Sequence, residues 1–109
     1  MTRLNLPEPI AAYFDADSVG AETVARCFTN QAIVTDEGRT HSGLAAIKAW
    51  KTAASAQYAY KSEPFAIEQK EGRYIVTSRL TGNFPGSPVD LRFAFRLERG
   101  KIVSLEITP

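Results

Sequence analysis

The chain has one cysteine, Cys27, and one histidine, His41. A lone cysteine excludes an internal disulfide, and a lone histidine beside it leaves little from which to build a zinc site. Charge of one sign is also missing: 13 basic residues meet 12 acidic ones, for a net charge of +1. No field of that size draws in nucleic acid or an anionic membrane, and no block of like charge suggests a tail. No apolar run approaches the length of a membrane span, and Met1 to Pro9 lacks the apolar core of a signal peptide. The patterns G-x-G-x-x-G, P-loop, H-E-x-x-H, C-x-x-C and G-x-S-x-G do not occur, so nucleotide, metal and serine-hydrolase readings have no support. The expectation is a cytoplasmic protein with no cofactor and with neither nucleic acid nor membrane as partner.

What is present suits one folded domain over residues 1–109. Hydrophobic residues make up 44% of the chain, enough for one core at this length. Pro7 suits a first helical position and Glu8 a first turn. Ile10, Tyr13 and Phe14 then recur at helical spacing, which predicts a helix to about Asp17. Gly20 interrupts it. Val24, Cys27 and Phe28 predict a second helix, closed by Asn30. Ala32 to Asp36 alternates as a strand, with Val34 and Asp36 on one face and Ile33 and Thr35 on the other. Asp36-Glu37-Gly38 is turn chemistry. Ser42 or Gly43 then caps a third helix with the stripe Leu44, Ile47, Trp50 and Ala54, leaving Lys48 and Lys51 on its wet side.

From Tyr58 onward the period is twofold. A strand to Gln69 contains Pro64, which signals a bend or an edge. Glu71-Gly72 is a hairpin turn. Arg73 to Thr81 places Tyr74, Val76, Ser78 and Leu80 on one face. A loop, Gly82 to Pro88, precedes the clearest strand, Val89 to Glu98, with Leu91, Phe93, Phe95 and Leu97 inward. Arg99-Gly100 turns the chain into a last strand, with Val103, Leu105 and Ile107 on one face. Helices first and an antiparallel meander second indicate α+β, with the helices on one face of the sheet.

Asp36 leads the candidates for chemistry. A carboxylate facing inward at a strand end loses solvation, and a base so placed takes a proton next to a carbonyl or orients a water. The same residue is also an ordinary turn aspartate. Tyr13, on an apolar helix stripe, carries a hydroxyl that needs a partner: a ligand oxygen, Asp36 or a backbone carbonyl. His41 is either a second acid/base and ligand contact or a solvated loop residue. Trp50 reads as core or pocket wall. Tyr74, Ser78 and Phe93 face inward as cavity lining, and Ser78 either bonds backbone or fixes a ligand. Cys27 is a small buried apolar residue with no activating base nearby. Arg79, Arg92, Arg96, Glu98 and Glu106 alternate on the outward face.

Ala12-Tyr13-Phe14, the run Phe28 to Asp36, Gly43 with Ile47 and Trp50, and the last two strands around Arg92 to Ile102 together resemble the NTF2-like superfamily. The nearest pattern is that of its SnoaL-like and ketosteroid-isomerase-like members. That resemblance implies a cone: a curved antiparallel sheet wrapped around three N-terminal helices, with a deep apolar pocket and a dimer through the outer sheet face. It also implies that Asp36 shuttles a proton while Tyr13 donates to a developing oxyanion. The isomerase pattern has a second, protonated acid inward on the penultimate strand. Here that position holds Phe93, and Asp90 falls on the opposite face. The implied function is a pocket for a small hydrophobic molecule, as an isomerase or cyclase acting on a carbonyl or polyketide-like compound. A non-catalytic small-ligand binder and a dimeric interaction module are the alternatives.

Overall fold

Three two-residue turns of one kind fold the strands onto one another. Glu37-Gly38, Glu71-Gly72 and Arg99-Gly100 all have positive φ at both positions, 53°/74°, 54°/76° and 52°/78°. That is the primed turn whose twist matches paired strands, and glycine in second place accepts it without steric cost. The computed structural model describes residues 4–57 and 59–109.

The elements run α1 (Glu8–Asp17), α2 (Ala21–Ala25), β1 (Phe28–Asp36), β2 (Arg39–Ser42), α3 (Leu44–Gln57), β3 (Tyr60–Lys70), β4 (Arg73–Gly82), β5 (Val89–Glu98) and β6 (Lys101–Thr108). They form the α+β cone of the expected kind, with a curved, unclosed six-stranded sheet in the order β2-β1-β6-β5-β4-β3. Neighbours are antiparallel except β1 and β6, which are parallel. Ile10 and Tyr13 from α1 and Ile47 from α3 are buried with Val34, Val76, Phe95, Ile102 and Leu105 of the sheet. Among the described residues no helix is long and apolar enough to cross a membrane.

Four local expectations are corrected. The second helix stops at Ala25 rather than Asn30, because the Cys27 carbonyl accepts the Ile102 amide at 2.8 Å and starts a strand beside β6. Arg39 to Ser42, where no strand was expected, is β2. It is an edge strand that is largely exposed and carries no apolar alternation to reveal it. Val103 is not on the inner face. The pairing steps from Arg96–Ser104 to Leu97–Ile102, and this bulge brings Ile102 inward in its place, while Leu105 is buried as expected. Lys51, assigned to the wet side of α3, is only 3% exposed.

Pro64 marks both an edge and a bend: β3 is the other edge strand, and its register shifts between Pro64 and Ala66. Phe65, the extra residue, turns outward. Tyr58 lies outside the described residues. The outward charges are exposed as expected, with Arg79 paired to Asp90 and Arg73 to Glu106.

Gly82 closes β4 against the start of β3. A Cβ there would stand 2.3 Å from the Ala59 carbonyl oxygen and 2.8 Å from the Tyr60 Cα. Both obstacles are backbone, so the strand itself must move. Gly82→Ala is expected to cost about 1–3 kcal/mol, the range for overpacking, read as a lower urea midpoint at unchanged slope.

Candidate functional site

The open end of the cone contains a cavity of about 400 Å³. Its polar side comes from α1, α3, the end of β1 and the start of β3, through Tyr13, Asp17, Asp36, Trp50, Lys51 and Tyr60. Its apolar side comes from β4, β5 and β6, through Leu80, Val89, Leu91, Phe93 and Ile107. Phe84 and Pro85 of the Gly82–Pro88 loop complete the wall. Asn83 holds that loop by a mutual bond with the Ala59 backbone, and Ser87 accepts the Gly82 amide at 2.9 Å.

Asp36 is the last residue of β1, held between Arg39 of β2 and Ile107 of β6. It is half-buried, and its Oδ2 accepts the Trp50 indole N–H at 3.0 Å. The indole therefore aims the carboxylate as well as walling the cavity. Gly43 makes this possible: at φ 86° it opens α3 directly after the β hairpin, so Trp50 comes round two turns later beside the strand end.

Tyr13 is 1% exposed. Phe14, Phe28 and Phe95 meet its ring edge-on at 5.2, 6.0 and 5.5 Å. Burial pushes its phenol well above the ordinary range. Lys51 opposes that shift, while Asp17, Tyr60 and Asp36 add to it. The proton therefore stays on oxygen at any physiological pH. Tyr13 lines the cavity, and none of the hydrogen bonds described for the polar wall uses that hydroxyl.

Phe93 lines the cavity where a second acid would sit. Asp90 points outward, forked by Arg79 at 2.9 and 3.2 Å. The other three sequence candidates do not line the cavity. Ser78 is fully buried and shares a 2.7 Å hydrogen bond with Ser62, which does reach the cavity. Tyr74 faces a separate shallow groove with Leu6, Pro7 and Ile67. His41, on edge strand β2, lies 6.1 Å from the Trp50 ring, centre to centre. Asp36, Tyr13, Trp50 and Phe93 thus converge, while His41, Tyr74 and Ser78 stay outside. Among the described residues no cluster of histidine, cysteine, aspartate or glutamate is set to hold a metal.

Sequence reasoning missed a polar trio on the same wall. Lys51 is ion-paired with Asp17, and its ammonium donates to the Tyr60 hydroxyl at 2.6 Å. That hydroxyl in turn donates to the Asp17 carboxylate at 3.1 Å. Burial pulls the ammonium's pKa down, but the groups around it, Tyr13, Asp17 and Tyr60, outweigh burial and hold it above its ordinary value. Burial likewise raises the Tyr60 phenol, with Lys51 opposing. One signal was available. Ile47, Lys51 and Ala54 are spaced i, i+4, i+7, and Tyr13 and Asp17 are spaced i, i+4, which sets each polar residue above an apolar-stripe residue.

No family sequence model matches the chain, and no curated protein does. Solved structures do. Protein SMa1630 of Sinorhizobium meliloti, described as a candidate polyketide cyclase, is 38% identical over 94% of this chain and 95% of its own, with a TM-score of 0.89. A Catenulispora acidiphila protein with a ketosteroid isomerase-like fold is 17% identical, covering 96% and 87%, with a TM-score of 0.84. An NTF2-like protein of unknown function from Cytophaga hutchinsonii is 11% identical, covering 98% and 91%, with a TM-score of 0.73. The two remote likenesses carry the fold alone. The first, near full length on both sides and well above 30% identity, carries kinship, and with it the conclusion that this chain belongs to the NTF2-like, SnoaL-like superfamily.

Proposed function

We propose that the protein is a cofactor-free isomerase or cyclase acting on a small, largely apolar carbonyl or polyketide-like compound. One observation carries the reading: a carboxylate aimed by an indole N–H, at 3.0 Å, on the wall of a mostly apolar cavity that also receives a buried, protonated phenol. Asp36 takes the proton next to the carbonyl. Tyr13 donates to the oxygen as charge develops there, when a hydrogen bond in a dry site has its greatest effect. The description of SMa1630 as a candidate polyketide cyclase supports the choice of substrate class.

The test is turnover across a panel of small cyclic ketones and aromatic polyketide-like compounds. Tyr13→Phe should lower kcat on any substrate found by about 10²- to 10³-fold, the effect of removing one oxyanion donor. Unchanged turnover in that variant removes Tyr13 from the mechanism.

A second reading, a non-catalytic binder, has Phe93 in its favour, since the second inward acid is missing. It predicts thermal stabilisation by panel members with no turnover of any. In either case the natural ligand is small and apolar over most of its surface. We further propose that copies of the chain pair through the outer sheet face, which sedimentation velocity checks directly.

A further inference from the structure

A buried cation shares the cavity with Phe93. Lys51 is 3% exposed and lines the cavity, with its Nζ 5.9 Å from the centre of the Tyr13 ring and 5.2 Å from that of Trp50. An ammonium has three N–H groups. Asp17 and Tyr60 engage it from the side of α1 and β3. Asp17 also fixes the Tyr60 hydroxyl, so that oxygen faces Lys51 as an acceptor. The trio is therefore an anchored cation and not a loose surface charge. Tyr13, which lines the same cavity, stands beside it. Asp36 lies across the Trp50 ring, bonded to the indole edge.

From this arrangement we infer that Lys51 is a catalytic residue which, with Tyr13, binds the substrate's carbonyl oxygen and stabilises its enolate, so that the substrates are enolisable ketones or 1,3-dicarbonyls. This deepens the reading of Asp36 as base and rests on it. Asp36 removes the proton from the carbon next to the carbonyl. The C–H pair becomes the C=C bond, and the carbonyl π pair moves to oxygen. The Lys51 N–H and the Tyr13 O–H hold that oxygen without giving up their protons, and the Asp36 proton then returns to carbon at the same or a conjugated position. Nothing enters or leaves besides substrate and product. A compact point charge suits this task, because it adds little to a neutral ketone and much to an enolate.

The test uses a matched pair of probes at pH 7.5: dimedone, a 1,3-dione present as its enolate, and 3,3-dimethylcyclohexanone, a neutral ketone of similar size. Calorimetry on the intact protein should show dimedone bound about 10- to 100-fold more tightly, the strength of a hydrogen bond to a charged group. The double variant Lys51→Met/Asp17→Leu removes the pair together and should lose that preference while still binding the ketone. Should the apolar pair fail to fold, Lys51→Gln/Asp17→Asn serves in its place. Asp36→Asn should keep the preference, since it removes a negative charge and not the cation. A preference that survives in the double variant, or is absent in the wild type, overturns the role of Lys51 and leaves the base reading standing. Failure of both probes to bind sinks the cavity reading and this inference with it.

Discussion

Lys51→Met is expected to destabilise the fold by about 3–5 kcal/mol, the usual cost of leaving one partner of a buried ion pair without the other. Asp17 and Lys51 have side chains only 10% and 4% exposed, so water cannot compensate the orphaned carboxylate. The Tyr60 hydroxyl would remain as its sole described partner, a weaker one than an ammonium. For a chain of 109 residues the loss corresponds to roughly 12–20 °C in Tm, a large part of the 5–15 kcal/mol that holds such domains together. Methionine nearly matches the lysine in volume, which keeps a cavity from confusing the result. Removing both charges, in Lys51→Met/Asp17→Leu, should restore most of the loss, because a buried pair replaced by apolar residues is often neutral or better. Salt should do little for either variant, as screening does not reach a buried pair. Urea denaturation of the single and double variants settles it. A single variant within 1 kcal/mol of the wild type would mean the pair stabilises nothing.

Lys51 also shows where the sequence stopped being legible. Its partners are 34 residues back and nine ahead, at Asp17 and Tyr60, so the spacing that sets it over Ile47 does not reveal what would hold its charge inward. Long alternating strands were readable because one face is buried. Phe93 and Phe95 inward, with Arg92 and Arg96 outward, follow directly from a period of two. Pro64 was readable because a missing amide is tolerated only at an edge or a bulge, and it occupies both. Strand β2 was invisible, since an exposed edge has no apolar face to announce it. Even so, Glu37-Gly38 has the same turn chemistry as Glu71-Gly72 and Arg99-Gly100, and that likeness pointed to a hairpin. The bulge at Val103 exchanged that residue for Ile102 on the inner face and left Leu105 inward, because one extra residue shifts the alternation only on its far side. Asp36 was readable as a place and not as a geometry. A strand-ending aspartate is common, and only the fold brings the Trp50 indole to it from 14 residues away.

That indole makes the base testable in isolation. Asp36→Asn should lower kcat and kcat/KM together by about 10²- to 10⁴-fold, the usual contribution of a positioned acid–base group. Asparagine has nearly the same size, and its amide oxygen still accepts the Trp50 N–H, so fold and cavity are retained. What it cannot do is take a proton. Thermal stabilisation by ligand should therefore persist in the variant that no longer turns it over, which separates lost chemistry from lost binding. Trp50→Phe makes the complementary change: the carboxylate stays and its orienting bond goes. Its kcat should fall by only about tenfold, in line with the loss of one hydrogen bond worth about 1–1.5 kcal/mol. Steady-state kinetics on one substrate of the panel orders the three proteins. If Asp36→Asn turns that substrate over as fast as the wild type, the proton is removed by another group, and Asp17, the one other described carboxylate bonded to a side chain of the cavity's polar wall, becomes the residue to replace next.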